Sequence, residues 1–228
     1  MTDTDPLLTL NDVDSDGALH ETEAQALEIA AEGHTSSSFL TRGAGLAAGG
    51  LVLAGLPVGL AAAQGGLSKG DVKILNYALT LEYLEAAFYA EAVSKGKLSG
   101  VAQKFAQVVA GHEAAHVAAL RKTLGSKAVK KPSFDFKGTT ARQSTFLKTA
   151  RVLEDTGVSA YQGQAPNIKA AAVLAAAGSI LAVEARHAAW VRDIIGDKNA
   201  LPAPDAFNEA MSMSAVLSAV KATGFIKS

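Results

Sequence analysis

Cysteine is absent from the 228-residue chain. That excludes disulfides, zinc–thiolate sites and thiol catalysis, and it suits an exported or oxidising setting. Aromatic residues make up only 6% of the chain, and proline occurs 6 times. No basic run forms the footprint of a nucleic-acid binder, and the formal net charge is only −1, so no nucleic-acid partner is expected. No segment alternates apolar and polar residues with the two-residue period of a strand. Apolar sequence, by contrast, is plentiful at 49%. Much of it is alanine, which has the highest helix propensity. The composition therefore predicts an all-α protein, long enough for one domain with an extension.

Residues 1–42 read as a polar, acidic leader without a core of its own. Residues 43–63, GAGLAAGGLVLAGLPVGLAAA, carry no charge and follow Arg42. The run ends on Ala61-Ala62-Ala63, small residues of the kind at which signal peptidases cut. An export signal cleaved near Gln64 is expected, which places the mature protein in the periplasm, the cell envelope or outside the cell. A retained membrane anchor and a helix of the fold stay open, since the run approaches the length of a membrane span. Phe39-Leu40 resembles part of a twin-arginine export motif, but Ser36 and Ser37 stand where the arginines would be.

Within the leader, Asp12 to Glu23 matches an EF-hand calcium loop, with oxygen-bearing side chains at loop positions one, three, five and twelve and Gly17 at the sharp turn. The segment before it is too short for the flanking helix and no second such loop follows. An acidic leader is the preferred reading.

Residues 64–200 hold four long helical segments, near 71–95, 100–125, 140–163 and 168–195. Gly96, Gly125, Pro166 and Gly196 mark their ends. The first and third connections are short, so each joins antiparallel neighbours. The middle one, Ser126 to Thr139, is longer and contains Phe134-Asp135-Phe136. Two hairpins joined by a crossover predict a four-helix bundle. Residues 201–228 add a helical extension, near 205–225, free to pack on the bundle or on a partner.

The chemistry lies in a repeat. Glu113 and His116, and again Glu184 and His187, form Glu-x-x-His pairs. Residues three apart share a helix face, so each pair can point at one metal ion. The upstream helices carry Glu82 and Glu154, each seven residues before a tyrosine, Tyr89 and Tyr161. Glu82 precedes Glu113 by 31 residues and Glu154 precedes Glu184 by 30. Each hairpin thus reads Glu…Tyr…Glu-x-x-His, and two hairpins about a pseudo-twofold axis can enclose two ions. Ionised carboxylates on a buried face are costly unless paired or bound to metal. Glu85 competes with Glu82 from one turn away and is expected to be a supporting or surface carboxylate, because Ala92 rather than tyrosine follows it by seven. His112 lies off the ligand face. Tyr89 and Tyr161 either hydrogen-bond the ligand carboxylates or simply fill the core, and Trp190 reads as packing.

The segments Leu81-Glu82-Tyr83-Leu84-Glu85-Ala86-Ala87-Phe88-Tyr89, His112-Glu113-Ala114-Ala115-His116, Leu153-Glu154-Asp155-Thr156-Gly157 and Val183-Glu184-Ala185-Arg186-His187 resemble the ferritin-like superfamily, and within it bacterial proteins related to desiccation-associated proteins. The resemblance covers about residues 70–197. It implies that Glu113 and Glu184 bridge two metals, that Glu82 and Glu154 are terminal carboxylates, and that His116 and His187 each bind one ion.

Carboxylate and imidazole ligands suit iron or manganese. The expected function is a dinuclear redox centre acting on O2 or hydrogen peroxide in stress protection. Metal sequestration and a purely structural bundle remain as alternatives, so whether the protein is an enzyme stays open, as does assembly into a homo-oligomer.

Overall fold

The computed structural model describes residues 66–196 and 201–227. The acidic leader, the uncharged run 43–63 and the EF-hand-like loop lie outside the described residues. The described chain is an all-α bundle of four long helices: α1 (Lys69–Lys95), α2 (Gly100–Leu124), α3 (Gln143–Gln164) and α4 (Ala171–Ile195). A shorter α5 (Met213–Thr223) follows.

Local chemistry sets these boundaries. Ser68 and Asp71 form a reciprocal capping box that starts α1. Asp71 also accepts a hydrogen bond from the Lys169 amide at 2.8 Å, so one carboxylate ties the start of α1 to the turn between α3 and α4. Gly196 closes α4 with a left-handed φ of 62°, the usual role of glycine just past a helix. The helix starts expected at 140 and 168 fall at 143 and 171 instead. Arg142 is held in extended pairing with Lys97, and Pro166 belongs to a single 3₁₀ turn, Ala165–Asn167.

α1 packs along α2, and α3 along α4, as two hairpins; α1 also meets α3, and α2 meets α4. The Lys97–Arg142 pairing brings the start of α3 back to the loop between α1 and α2. The crossover therefore runs the length of the bundle. Every neighbouring pair is consequently antiparallel and each diagonal pair parallel. This is the topology the loop lengths implied.

Two apolar clusters fill the interior. One gathers Phe88, Tyr89, Phe105, Phe146, Phe136 and residues of the C-terminal segment; the other holds Leu75, Leu79, Tyr83, Leu120, Val173 and Ile180. Along α2 and α4 the glutamates of the repeat fall between these clusters.

The C-terminal segment packs on the bundle. Its helix is shorter than the 205–225 expected: it starts only at Met213, where Ser212 caps it by accepting from the Ala215 amide. Val216 and Val220 are buried in the first apolar cluster. The chain then forms two short strands that composition did not foretell: β1 (Ser133–Phe134) in the crossover pairs antiparallel with β2 (Ile226–Lys227). Phe136 of the crossover packs edge-on against Phe88 and Phe225, each at 5.4 Å. Trp190 packs edge-on against Phe105 at 5.1 Å, as expected of a packing residue.

Gly163 is the notch on which the C-terminal segment rests. The Met211 amide bonds the Ser159 carbonyl at 3.0 Å, and a methyl group at position 163 would collide with the Met211 backbone. Gly163→Ala should therefore destabilise the protein by about 1–3 kcal/mol and speed proteolysis within residues 201–228. Limited proteolysis with mass-spectrometric mapping checks this; unchanged cleavage there would show that the segment does not depend on the notch.

Candidate metal centre

Each long helix brings one glutamate of the repeat to the middle of the bundle: Glu82 from α1, Glu113 from α2, Glu154 from α3 and Glu184 from α4. All four are completely buried. His116 and His187, one turn beyond Glu113 and Glu184, complete the layer. Their ligand atoms fall into two sets, Glu82, Glu113, His116 and Glu184, and Glu113, Glu154, Glu184 and His187. Within each set the atoms all lie within 4.8 Å of one another. Glu113 and Glu184 belong to both.

The contacts keep the pseudo-twofold order. His116 Nδ1 lies 3.2 Å from Glu82, 3.3 Å from Glu113 and 3.1 Å from Glu184. His187 Nδ1 lies 3.3 Å from Glu113, 3.3 Å from Glu154 and 3.9 Å from Glu184. The tyrosines exchange partners between hairpins. Tyr89 of the first donates to Glu154 of the second, and Tyr161 of the second donates to Glu82 of the first at 2.5 Å. Both are core residues and hydrogen-bond donors at once, so the two readings of them are compatible.

A metal fits this donor set on a specific observation. Glu113 Oε1, Glu154 Oε2, both oxygens of Glu184 and His187 Nδ1 are buried without a hydrogen-bond partner. Buried polar atoms rarely lack hydrogen bonds, and here five, held only by the imidazole–carboxylate contacts above, share one layer. Carboxylate oxygen with imidazole nitrogen is a donor set that iron and manganese accept.

The residues matching the ferritin-like domain family model are 70–197, the four long helices with every residue of this layer. The chain belongs to the ferritin-like domain family. A search of curated proteins finds no match.

In this ferritin-like domain the crowded carboxylates shift one another. Burial, then the neighbouring carboxylates, push Glu85, Glu113 and Glu184 well above the usual range. Burial acts the same way on Glu82, but the His116 charge and the hydrogen bonds it receives outweigh it and hold its carboxyl below that range. His116 is the converse: burial opposes its charge, yet Glu82, Glu113 and Glu184 raise it well above an ordinary imidazole. A cation placed among these carboxylates would favour their charged forms.

Three features differ from the sequence reading or escape it. Glu85 is not a surface carboxylate; it is only 4% exposed and faces Glu184. His112 is exposed, as its place off the ligand face implied, yet its Nδ1 lies 2.8 Å from His187 Nε2, with the rings stacked at 5.1 Å. Gly157 went unread as well. A β-carbon there would lie 3.3 Å from Glu184 Oε2 and 3.4 Å from Glu85 Oε1, so the glycine makes room for both carboxylates. The signal was present in the repeat, where Glu85 aligns with Gly157.

A layer built for a cation should oppose folding without one. Glu113→Gln and Glu184→Gln should each make the metal-free protein more stable than wild type, by on the order of 1 kcal/mol, while weakening metal binding. Urea denaturation in chelator measures it; equal or lower stability for both variants would mean that carboxylate repulsion does not govern the metal-free fold.

Proposed function

We propose that the layer holds two ions of iron or manganese and that the protein is a dinuclear redox centre acting on O2 or hydrogen peroxide. The observation that carries the reading is the set of buried, unpartnered carboxylate oxygens and imidazole nitrogen in one layer. Glu113 and Glu184 share in both ligand sets, which suits each to bridge. Glu82 and His116 then complete one position, and Glu154 and His187 the other.

When bound, the metal pair supplies the electrons exchanged with the oxidant. The chain supplies everything else. Four helices hold the carboxylates rigidly, and apolar clusters on either side keep bulk water from the layer. Tyr89 and Tyr161 each donate to one terminal carboxylate, leaving its second oxygen for a metal and fixing the plane of the group, as ligand carboxylates require.

Export, with association to a membrane if the segment is retained, is supported by the uncharged run 43–63 and its terminal alanines. Among the described residues α4 alone is long and apolar enough to cross a membrane, but it places Glu184 and His187 inside the bundle. Protection against oxidants at the cell envelope follows from combining export with the redox reading.

The test is metal content by mass spectrometry after anaerobic loading, followed by O2 and peroxide consumption. Two ions per chain with oxidant turnover are expected. Two ions without turnover would leave a sequestration protein, and no metal would leave a structural bundle. Glu113→Ala and Glu184→Ala should each abolish two-metal occupancy; either variant binding two ions with unchanged affinity would remove the bridging role.

A further inference from the structure

The repeat makes the two hairpins comparable residue by residue, and they differ at two positions that touch the centre. Glu82, Glu85 and Tyr89 on α1 correspond to Glu154, Gly157 and Tyr161 on α3. His112, Glu113 and His116 on α2 correspond to Val183, Glu184 and His187 on α4. Glu85 and His112 thus have no counterpart.

Both additions serve the same side. Glu184 directs Oε1 at His116, 3.1 Å away, and Oε2 toward His187, 3.9 Å away. It is Oε2 that shares the space over Gly157 with Glu85 Oε1. Gly157 lies one turn beyond Glu154 on the same helix. Glu85 therefore reaches from α1 across to the Glu154–His187 position, into room that the missing side chain of α3 leaves. His112 acts on the same position from outside, through Nε2 of His187. A His187 that binds a cation through Nδ1 must carry its proton on Nε2, and His112 Nδ1 is the acceptor that holds it there. Val183 offers His116 no such acceptor.

We propose that the two positions are unequal: the Glu154–His187 position binds a divalent cation more tightly and fills first, with Glu85 as an added buried carboxylate beside it and His112 as the positioning residue of His187. The inference rests on the two-metal reading above. An extra anionic oxygen strengthens attraction for a divalent ion, and loss of a hydrogen-bond partner behind a ligating histidine typically costs about 10–100-fold in metal affinity.

The experiment is an anaerobic titration of the metal-free full chain with Mn2+, the free ion being read by electron paramagnetic resonance. Wild type should bind in two steps. Glu85→Gln and His112→Ala should each weaken the first step by about 10–100-fold and leave the second unchanged, so that the steps merge. His112→Asn, whose amide oxygen can take the place of Nδ1, should restore the first step; this separates positioning from loss of fold, which the thermal midpoint monitors. Two indistinguishable steps in wild type would overturn the inequality while leaving the two-metal centre standing. Weakening of the second step by Glu85→Gln and His112→Ala would overturn the assignment. Absence of any bound ion in wild type, with Mn2+ and again with Fe2+ under the same anaerobic conditions, would overturn this inference together with the reading it rests on.

Discussion

Everything in this bundle is arranged around the need to keep carboxylates inside an apolar interior. Glu82, Glu113, Glu154 and Glu184 are completely buried, and Glu85 nearly so. Charges so placed are tolerated only with compensation. The compensation is two imidazoles, two phenol donors and raised carboxyl pKa values, and it stops short of satisfying five buried atoms. The surrounding aromatic and aliphatic clusters supply the stability that such a layer consumes. Function and folding pull in opposite directions at this level of the bundle, as they commonly do at sites held ready for a ligand.

Much of this was legible in the sequence because helical periodicity is a strict geometric rule. Glu-x-x-His puts two ligands on one face, and its repetition with an upstream Glu and Tyr places four faces around one centre. The hairpin and crossover pattern followed from loop lengths alone. What stayed hidden depends on distances between helices. Glu85 could not be told from an outer carboxylate, because its burial depends on how closely α1 approaches α3, which Gly157 decides. His112 sits off the ligand face of α2 and gains its role from the place of His187 on another helix. The strand pair of Phe134 and Ile226 is too short to leave a period in the sequence, and the start of α5 is set by the Ser212 cap.

The crossover and the C-terminal segment act together at one end of the molecule. Phe136 seats the crossover on Phe88, and Phe225 and Ile226 then seat the chain's end on the crossover. The aromatic cluster beneath includes Tyr89, whose hydroxyl reaches Glu154. Packing at the end of the bundle and the posture of a carboxylate in its middle are thereby linked through a single side chain.

The exchange of ligands between hairpins bears on the origin of the fold. Each ligand set draws on both halves, and each tyrosine serves the opposite half, so neither half could assemble the layer by itself. A lone ancestral hairpin of this pattern would have needed an identical copy facing it. In such a pair any substitution appears twice, and a glutamate opposite a glycine, or a histidine opposite a valine, cannot arise. Within one chain neither half need mirror the other. Glu85 with Gly157, and His112 with Val183, are differences that a pair of identical hairpins could not carry.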